Sequence, residues 1–237
     1  MIIQQRNNIK KQISESLIRK YKGKNEIHVD LPSEDYDWIC NSSGLPWLEL
    51  AIPVPVNTIH QEIKNIEHLL VDHRDEQGEH SGWKSFCIHG KSFDSTREDS
   101  HYDNDTEHHF TNQALTLMPN TVTFFKNNFP AAEYRRVRVM LLEPGGYITV
   151  HKDDKSNRLS PVNIAITQPS DCHFVMDKHG EIPFCPGKSF MLDVGNLHTV
   201  VNNSNKPRYH LIVHSKPNQK FKQMVVTQYN ILYNKPL

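Results

Sequence analysis

The chain has 237 residues, and its 27 lysines and arginines balance 27 aspartates and glutamates, so the formal net charge is zero. That balance disfavours a protein that binds nucleic acid by neutralising phosphates, and 37% hydrophobic residues are typical of a globular rather than a disordered chain. No apolar run approaches the roughly 18–20 residues that cross a bilayer, and the N-terminus lacks the apolar core of a secretory signal. We therefore expect a cytoplasmic protein without membrane or nucleic-acid partners.

The first part of the chain predicts helices joined by extended segments. A polar helix is expected over residues 4–21, with an apolar face made of Ile9, Ile13, Leu17 and Ile18. Four prolines between residues 31 and 56 favour extended chain. A second helix is expected over residues 58–72, with Thr58 as its cap and an apolar stripe through Ile59, Ile63 and Ile66.

The middle of the chain contains a long polar stretch. Residues 83–89 alternate apolar and polar side chains and predict a strand. Residues 94–112 are almost wholly polar, which is typical of a long loop, and we expect them to form a lid. The histidines among them, at positions 101, 108 and 109, leave a separate metal site open as an alternative to a solvated loop. A short helix is expected from Pro119 to Pro130.

The last part of the chain predicts a β core. From Tyr134 to His214, eight runs of about four to nine residues alternate with turns rich in Gly, Pro and Asn. This spacing favours an antiparallel sandwich or barrel, so the fold class is expected to be mainly β with flanking helices. We expect one domain over residues 1–237, in which a helical and extended layer, residues 1–133, packs on a β core, residues 134–216.

The cysteines and histidines point to different chemistry. The four cysteines are widely spaced and form no C-x-x-C pair, so we interpret them as buried or incidental thiols: Cys40, Cys87, Cys172 and Cys185. Histidine, with 15 residues, is unusually frequent, and this prompts a search for a metal site.

Three residues in the β region are candidate metal ligands. If the strand that contains Tyr147 and Thr149 continues to Asp153, His151 and Asp153 lie on one face of it, because side chains alternate with period two. His198 opens a later strand after a turn. Two imidazoles and a carboxylate on one side of an ion leave other coordination positions free, an arrangement associated with non-haem Fe(II) oxygenases. The alternative is a hydrogen-bonded His–Asp pair at the surface.

Arg208 extends this candidate site. If residues 198–202 and 207–214 form a hairpin, Arg208 lies about 10 Å along the ladder from the position opposite His198. A five-carbon diacid that chelates the metal spans roughly 5–6 Å, and a guanidinium could bind its far carboxylate in bidentate fashion. The separation fits 2-oxoglutarate, and the alternative is a surface arginine on a strand.

At this point the sequence resembles the Fe(II)/2-oxoglutarate-dependent oxygenases with a double-stranded β-helix (jelly-roll, cupin-like) core. Among them it is most similar to the aspartyl/asparaginyl β-hydroxylase family. The segments 141–154 and 184–213 carry the resemblance, and residues 83–89 carry it more loosely. It implies that His151, Asp153 and His198 bind iron, that Arg208 anchors 2-oxoglutarate, and that O2 is the oxidant.

Two details distinguish this sequence within that resemblance. Some hydroxylases of the family have a small residue in place of Asp153, and halogenating relatives among the oxygenases also lack this carboxylate because the vacancy admits a halide. Asp153 therefore favours hydroxylation or a related oxidation. The family often has an Arg-x-His pair on the strand after the first ligands, where this chain has Pro161-Val162-Asn163. Asn163 is therefore the candidate substitute for the histidine, and Arg158 the candidate for the arginine, in binding the oxoglutarate C1 carboxylate.

The expected function is hydroxylation of an unactivated carbon of an amino acid or peptidyl side chain. Two alternatives stay open: a cupin-type metalloenzyme that works without 2-oxoglutarate, and a non-catalytic jelly roll that binds a ligand. Arg136 and Arg138 fit either a site for a substrate carboxylate or a solvated edge strand, and Trp83 is interpreted as core. The oligomeric state is undetermined.

Overall fold

The computed structural model describes residues 2–27, 33–73, 80–95, 108–153 and 158–233. The helices are α1 (Ile2–Tyr21), α2 (Tyr36–Asn41), α3 (Val56–Ile66), α4 (Asn112–Leu117), α5 (Pro119–Asn127) and α6 (Gln219–Tyr233). The strands are β1 (Trp47–Leu50), β2 (Val71–Asp72), β3 (His80–Gly90), β4 (His109–Phe110), β5 (Ala131–His151), β6 (Val162–Ala165), β7 (Cys172–Met176), β8 (Gly180–Glu181), β9 (Ser189–Leu192), β10 (His198–Asn202) and β11 (Arg208–Pro217).

All of these strands belong to one curled antiparallel sheet. Its order is β1-β9-β6-β11-β5-β10-β7-β8. Strand β3 pairs with β5 outside this order, and β2 and β4 pair with β3. Strand β5 is 21 residues long, and the sequence had predicted two separate strands in its place. The mainly β fold with flanking helices is confirmed.

A corner in β5 turns the sheet into two facing layers. Before the segment 143–146, β5 pairs with β11, and after it the same edge of β5 pairs with β10. Gly146 is required at this corner because a Cβ would come within 2.8 Å of the Ser81 carbonyl oxygen. The buried ring of Phe184 joins the layers, since it contacts Phe174 of β7 and Phe190 of β9. The architecture is a double-stranded β-helix.

The hairpin hypothesis for residues 198–202 and 207–214 is wrong. Strands β10 and β11 instead follow one another in the same direction along β5, with Val201 opposite Tyr147 and Arg208 opposite Leu142. The buried Asn202 closes this junction: its Nδ2 lies 3.0 Å from the Leu142 carbonyl oxygen and 2.9 Å from that of Lys206. The Asn202 side chain thereby donates hydrogen bonds to backbone carbonyl groups that have no strand partner at the corner.

Helices cover the outer faces of both layers. The largest apolar cluster lies between the sheet and helices α3, α5 and α6, with Ile59, Phe125 and Tyr229 fully buried. Helix α1 packs on the β7/β10 layer, but through Ile18 and Tyr21. The predicted apolar face of α1 is therefore wrong in part, because Ile9 and Ile13 are 56% and 55% exposed.

Several local predictions are corrected by tertiary contacts. The second helix begins at Val56 and ends at Ile66, and Thr58 does not cap it. Its buried Glu62 instead accepts hydrogen bonds from the backbone N–H groups of Asn120 and Thr121, at 2.8 Å each, at the start of α5. Short helix α2 lies in the segment predicted as extended, and its N-terminus is capped by Asp35. Helices α4 and α6 were not predicted.

The remaining sequence interpretations are mostly confirmed where the structure describes them. All four cysteines are free thiols, and only Cys185 among them is exposed. Most of the predicted lid, residues 96–107 with His101, lies outside the described residues, while its end forms β4 and the start of α4. Among the described residues, no helix is both long enough and apolar enough to span a membrane.

Candidate metal centre and cosubstrate pocket

The three predicted metal ligands converge at the open end of the β10–β5 pair. His151 is the last residue of β5 and lies directly opposite His198, the first residue of β10, so the strand register itself pairs the two imidazoles. Their ring centroids are 4.3 Å apart. Strand β5 ends at His151, so the expectation that the strand continues to Asp153 is wrong. Asp153 lies two residues beyond it, with its backbone N–H donating to the Val194 carbonyl oxygen at 3.0 Å. Ligand atoms of all three residues lie within 4.8 Å of one another.

Hydrogen bonds fix which imidazole nitrogen faces the centre. His151 Nδ1 lies 2.7 Å from the Thr149 carbonyl oxygen, and His198 Nδ1 lies 2.8 Å from that of Asn196. A carbonyl only accepts, so each Nδ1 carries the proton and each Nε2 presents a lone pair. His151 Nε2 lies 3.3 Å from Asp153 Oδ1, and His198 Nε2 lies 3.8 Å from Asp153 Oδ2.

The electrostatics suit a cation. Burial, and then the neighbouring His151, lower the pKa of His198 to about 4, so this imidazole is neutral and able to coordinate a metal at neutral pH. Backbone carbonyls that orient metal-binding histidines through Nδ1 are a common outer-sphere arrangement. Two imidazoles and one carboxylate on one side fit an Fe(II) ion with open positions. Burial of His198 also argues against the alternative of a surface His–Asp pair.

The candidate ligands face a cavity of about 550 Å³ between the two layers. This volume suits a small-molecule site. Trp83, predicted as core, forms part of the cavity wall, with its ring packed between those of His73 and His80.

Arg208 also faces this cavity and is only 4% exposed, so the alternative of a surface arginine is wrong. Its guanidinium lies 5.8 and 5.9 Å from the ring centroids of Phe174 and Phe184. Burial lowers its pKa to about 10, which leaves the group charged at neutral pH. A buried charge flanked by aromatic rings is suited to bind a carboxylate away from bulk water.

Two side chains that the sequence did not assign orient this guanidinium. Arg208 Nε donates to Gln168 Oε1 at 3.3 Å, and Nη2 lies 2.9 Å from His210 Nδ1. Burial, and then Arg208, hold the pKa of His210 well below its usual value, so His210 is neutral. Its Nε2 lies 3.0 Å from the same Gln168 oxygen. The two-residue spacing of His210 from Arg208 places both on one face of a strand, whereas Gln168 lies in a loop without a signal.

The candidates for the second carboxylate of the cosubstrate also reach the cavity. Asn163, on β6, lines it, and its Oδ1 lies 2.7 Å from His210 Nδ1. Arg158 lines the same cavity from an exposed position. Both residues therefore line the same cavity as the candidate metal ligands.

Comparison with known proteins identifies the family. A model described as aspartyl/asparaginyl beta-hydroxylase matches residues 55–217. No curated protein sequence matches the chain. The similar solved structures include a 2OG-Fe(II) oxygenase family oxidoreductase from Burkholderia pseudomallei, 14% identical over 84% of this chain and 99% of that one, with a TM-score of 0.45.

Two hydroxylases of solved structure are similar to this chain at comparably low sequence identity. The viral collagen prolyl hydroxylase of Paramecium Bursaria Chlorella virus-1 is 11% identical over 72% of this chain and 95% of that one, with a TM-score of 0.42. The prolyl hydroxylase of Trichoplax adhaerens is 10% identical over 92% of this chain and 93% of that one, with a TM-score of 0.45. Because the family model spans most of its length, the chain belongs to the aspartyl/asparaginyl β-hydroxylase family and is an Fe(II)- and 2-oxoglutarate-dependent hydroxylase.

Proposed function

We propose that His151, Asp153 and His198 hold the iron of this hydroxylase, that Arg208 anchors 2-oxoglutarate, and that the substrate is an amino acid or peptidyl side chain. One observation carries the assignment: two Nε2 lone pairs and a carboxylate lie within 4.8 Å of one another in a cavity that also contains a buried guanidinium. With 2-oxoglutarate and O2, bound Fe(II) supplies the oxidation that yields succinate, CO2 and a hydroxylated carbon.

The protein contributes geometry. The imidazoles are held by backbone carbonyls, so they need no reorganisation when a metal binds. Arg208 offers a guanidinium already oriented by Gln168 and His210 to the far carboxylate of 2-oxoglutarate. Asn163 and Arg158 are the groups available for the carboxylate next to the keto group. The rings of Phe174 and Phe184 exclude water around the guanidinium.

The proposal also includes the cellular location of the protein. Four free thiols suit a reducing compartment, and we propose the cytoplasm. The zero net charge supports a small-molecule or peptide substrate rather than nucleic acid.

The test is succinate formation. With Fe(II), 2-oxoglutarate and O2, the wild-type protein should convert 2-oxoglutarate to succinate, and His151→Ala and His198→Ala should each lower the rate at least a hundredfold. His68→Ala, an exposed histidine on the outer face, is the matched control and should leave the rate unchanged. If both variants keep the wild-type rate, the assigned iron site is wrong.

A further inference from the structure

One backbone peptide group close to the candidate iron site is hydrogen-bonded by side chains at both of its polar groups. The Ile148 carbonyl oxygen accepts a hydrogen bond from Thr199 Oγ1 at 2.6 Å, and the Thr149 N–H donates to His80 Nδ1 at 3.1 Å. The carbonyl and the N–H belong to the same peptide unit, which joins Ile148 to Thr149. We call the side chains of Thr199, on β10, and His80, on β3, the peptide clamp.

A β-bulge in β5 accompanies the clamp. The register pairs His198 with His151 but Val200 with Ile148, so between these two pairs β5 has one residue more than β10. A bulge leaves its extra residue outside the regular ladder, and buried backbone groups there need other partners. Ile148 also pairs with His80 of β3, so β5 lies between β10 and β3 at this point. Each neighbouring strand therefore supplies one side chain to the bulged segment.

Both side chains of the clamp are buried and held in place. Thr199 is 0% exposed and His80 is 6% exposed. Threonine is branched at Cβ, which limits its rotamers. The His80 ring packs edge-on against Trp83, with the ring centroids 4.9 Å apart. An N–H group only donates, so His80 Nδ1 is the acceptor and presents its lone pair to Thr149.

The clamped peptide leads directly to the carbonyl that orients His151. Thr149 contributes its N–H to the clamp, and its own carbonyl oxygen lies 2.7 Å from His151 Nδ1. Both groups are attached to the Thr149 Cα, so fixing the N–H restricts the direction of the carbonyl. The His80 ring also lies edge-on to the His151 ring, with the centroids 5.6 Å apart. The clamp therefore acts on the imidazole of His151 through Thr149.

The other imidazole of the site is oriented differently. The carbonyl that faces His198 Nδ1 belongs to Asn196, whose backbone N–H donates to the Asp193 carbonyl at 3.1 Å. The Asp193 side chain accepts from the Gly195 N–H at 3.0 Å. Hydrogen bonds within one turn thus hold the Asn196 carbonyl, whereas the Thr149 carbonyl depends on side chains from two other strands.

Resting on the proposed function, we propose that Thr199 and His80 are positioning residues for the hydroxylation: by holding the 148–149 peptide they fix the Thr149 carbonyl, which keeps His151 Nε2 directed at the iron. Neither residue needs to contact the metal or the substrate in this role. Groups that orient metal ligands in this way typically change metal affinity or activity by about 10–100-fold when they are removed.

Mn(II) binding to the metal-free protein, measured by electron paramagnetic resonance, tests Thr199. Thr199→Val keeps the shape of the side chain but removes the hydroxyl, and we expect the Kd for Mn(II) to rise about tenfold or more. Thr199→Ser keeps the hydroxyl and should stay within about threefold of the wild type. Thr121→Val is the matched control, because it removes an equally buried hydroxyl that donates to Glu62. It should lower stability and leave the Kd unchanged.

Two variants of His80 separate the hydrogen bond from the packing. His80→Phe keeps a ring against Trp83 but loses the acceptor, and the Kd for Mn(II) should rise about tenfold or more. His80→Asn loses the ring but places an amide oxygen near the position of Nδ1, and it should recover most of that affinity. The opposite order of these two variants would mean that packing matters and would overturn the role of the hydrogen bond. This pair keeps the test decisive if Thr199→Val does not fold.

A double variant examines whether both residues act through one peptide. If they do, Thr199→Val combined with His80→Phe should raise the Kd much less than the product of the two single effects, because the second change removes little that is still intact. A rise equal to the product would show that the two residues act separately, which contradicts a shared clamp.

The tautomer of His151 provides a measurement that needs no metal. Long-range 1H–15N spectra of the metal-free protein, recorded at slightly alkaline pH where unperturbed imidazoles are neutral, identify the protonated ring nitrogen. The His151 signal is assigned by its loss in His151→Ala. We expect Nδ1 to be protonated in the wild type and a mixture of both tautomers in Thr199→Val and His80→Phe.

Failure of the two proposals would look different. If the wild type does not bind Mn(II), the proposed iron site is wrong, and the His151 tautomer then decides the clamp by itself. If the wild type binds Mn(II) but both Thr199→Val and His80→Phe keep its Kd, the iron site stands and the clamp is refuted. An unchanged His151 tautomer in both variants would also overturn the clamp.

Discussion

At the scale of single residues, the cavity relies on ionisable groups whose charge is set by burial. Arg208 stays charged although burial lowers its pKa to about 10, and His210 beside it stays neutral. A neutral His210 does not repel the guanidinium, which lies 2.9 Å from its Nδ1, whereas a protonated His210 would. The network thus orients Arg208 without neutralising it, which leaves its charge for a ligand.

Replacing Arg208 with lysine tests the orientation separately from the charge. Lysine keeps the positive charge but loses the planar fork and the bonds to Gln168 and His210. We expect the KM for 2-oxoglutarate to rise about tenfold to a hundredfold, which corresponds to about 1.5–3 kcal/mol for one charge-assisted hydrogen bond.

Steady-state kinetics over a range of 2-oxoglutarate concentrations measure this effect. Arg19→Lys makes the same chemical change on the exposed face of α1 and should leave the KM unaltered. An unchanged KM in Arg208→Lys would show that another group anchors the cosubstrate.

At the scale of elements, an ionic contact around the buried His173 attaches the end of α1 to the β7–β8 pair. His173 of β7 lies with Nδ1 2.6 Å from Glu181 Oε1 and with Nε2 3.1 Å from Asp171 Oδ1. The other Glu181 oxygen accepts from the Gly23 backbone N–H at 2.7 Å, just after the end of α1. Both ring nitrogens therefore face carboxylates, which favours the doubly protonated imidazolium.

The contact predicts a pH dependence of folding stability. The hydrogen bond to Glu181 raises the pKa of His173 against the opposing effect of burial. A group whose pKa is raised on folding stabilises the folded state fully below its unfolded pKa of about 6.5, and this contribution is lost as the pH rises through the folded pKa. The stability difference between the wild type and His173→Gln should thus shrink as the pH rises from about 6 to 9.

Urea denaturation at several pH values measures this difference. Burial raises the pKa of Glu181, but hydrogen bonds from His173 and the Gly23 N–H outweigh it and leave that pKa lowered. The Glu181 contribution is therefore lost at the opposite, acidic end of the range. His68→Gln, at an exposed position, should show no comparable trend. A difference for His173→Gln that does not vary with pH would refute the imidazolium assignment.

At the scale of the whole molecule, the candidate iron site joins parts that are distant in sequence. Its ligands come from the end of β5, a residue two positions beyond that end and the start of β10. These positions meet only when the sheet has curled, so a metal ion that binds them binds the folded state alone. Metal binding should therefore raise the stability of the entire protein.

Thermal denaturation with Mn(II) under anaerobic conditions examines this coupling. A ligand at a hundred times its Kd adds about 2.7 kcal/mol, which for a chain of this size raises the Tm by roughly 5–10 °C. His198→Ala should lose the shift, whereas His68→Ala should keep it. An equal rise in Tm in His198→Ala would mean that Mn(II) stabilises the protein from another site.

The sequence by itself determined the mainly β class, because alternation with period two and regular turns appear in the residues themselves. It also offered the metal-ligand candidates, because His151 and Asp153 are two residues apart and His198 directly follows a turn, although β5 ends before Asp153. The apolar stripe of α3 was visible for the same reason, since Ile59, Ile63 and Ile66 are separated by helical intervals and are fully buried.

Only the tertiary structure decided how distant segments pair. The corner in β5 places β10 and β11 along one edge, and this register, rather than a hairpin, brings Arg208 into the cavity. The structure also decided that Arg136 and Arg138 lie on a central strand, and that Gln168 orients Arg208. The physical reason is common to all of these: strand pairing and burial depend on contacts between residues far apart in the chain, and periodicity within one segment does not contain them.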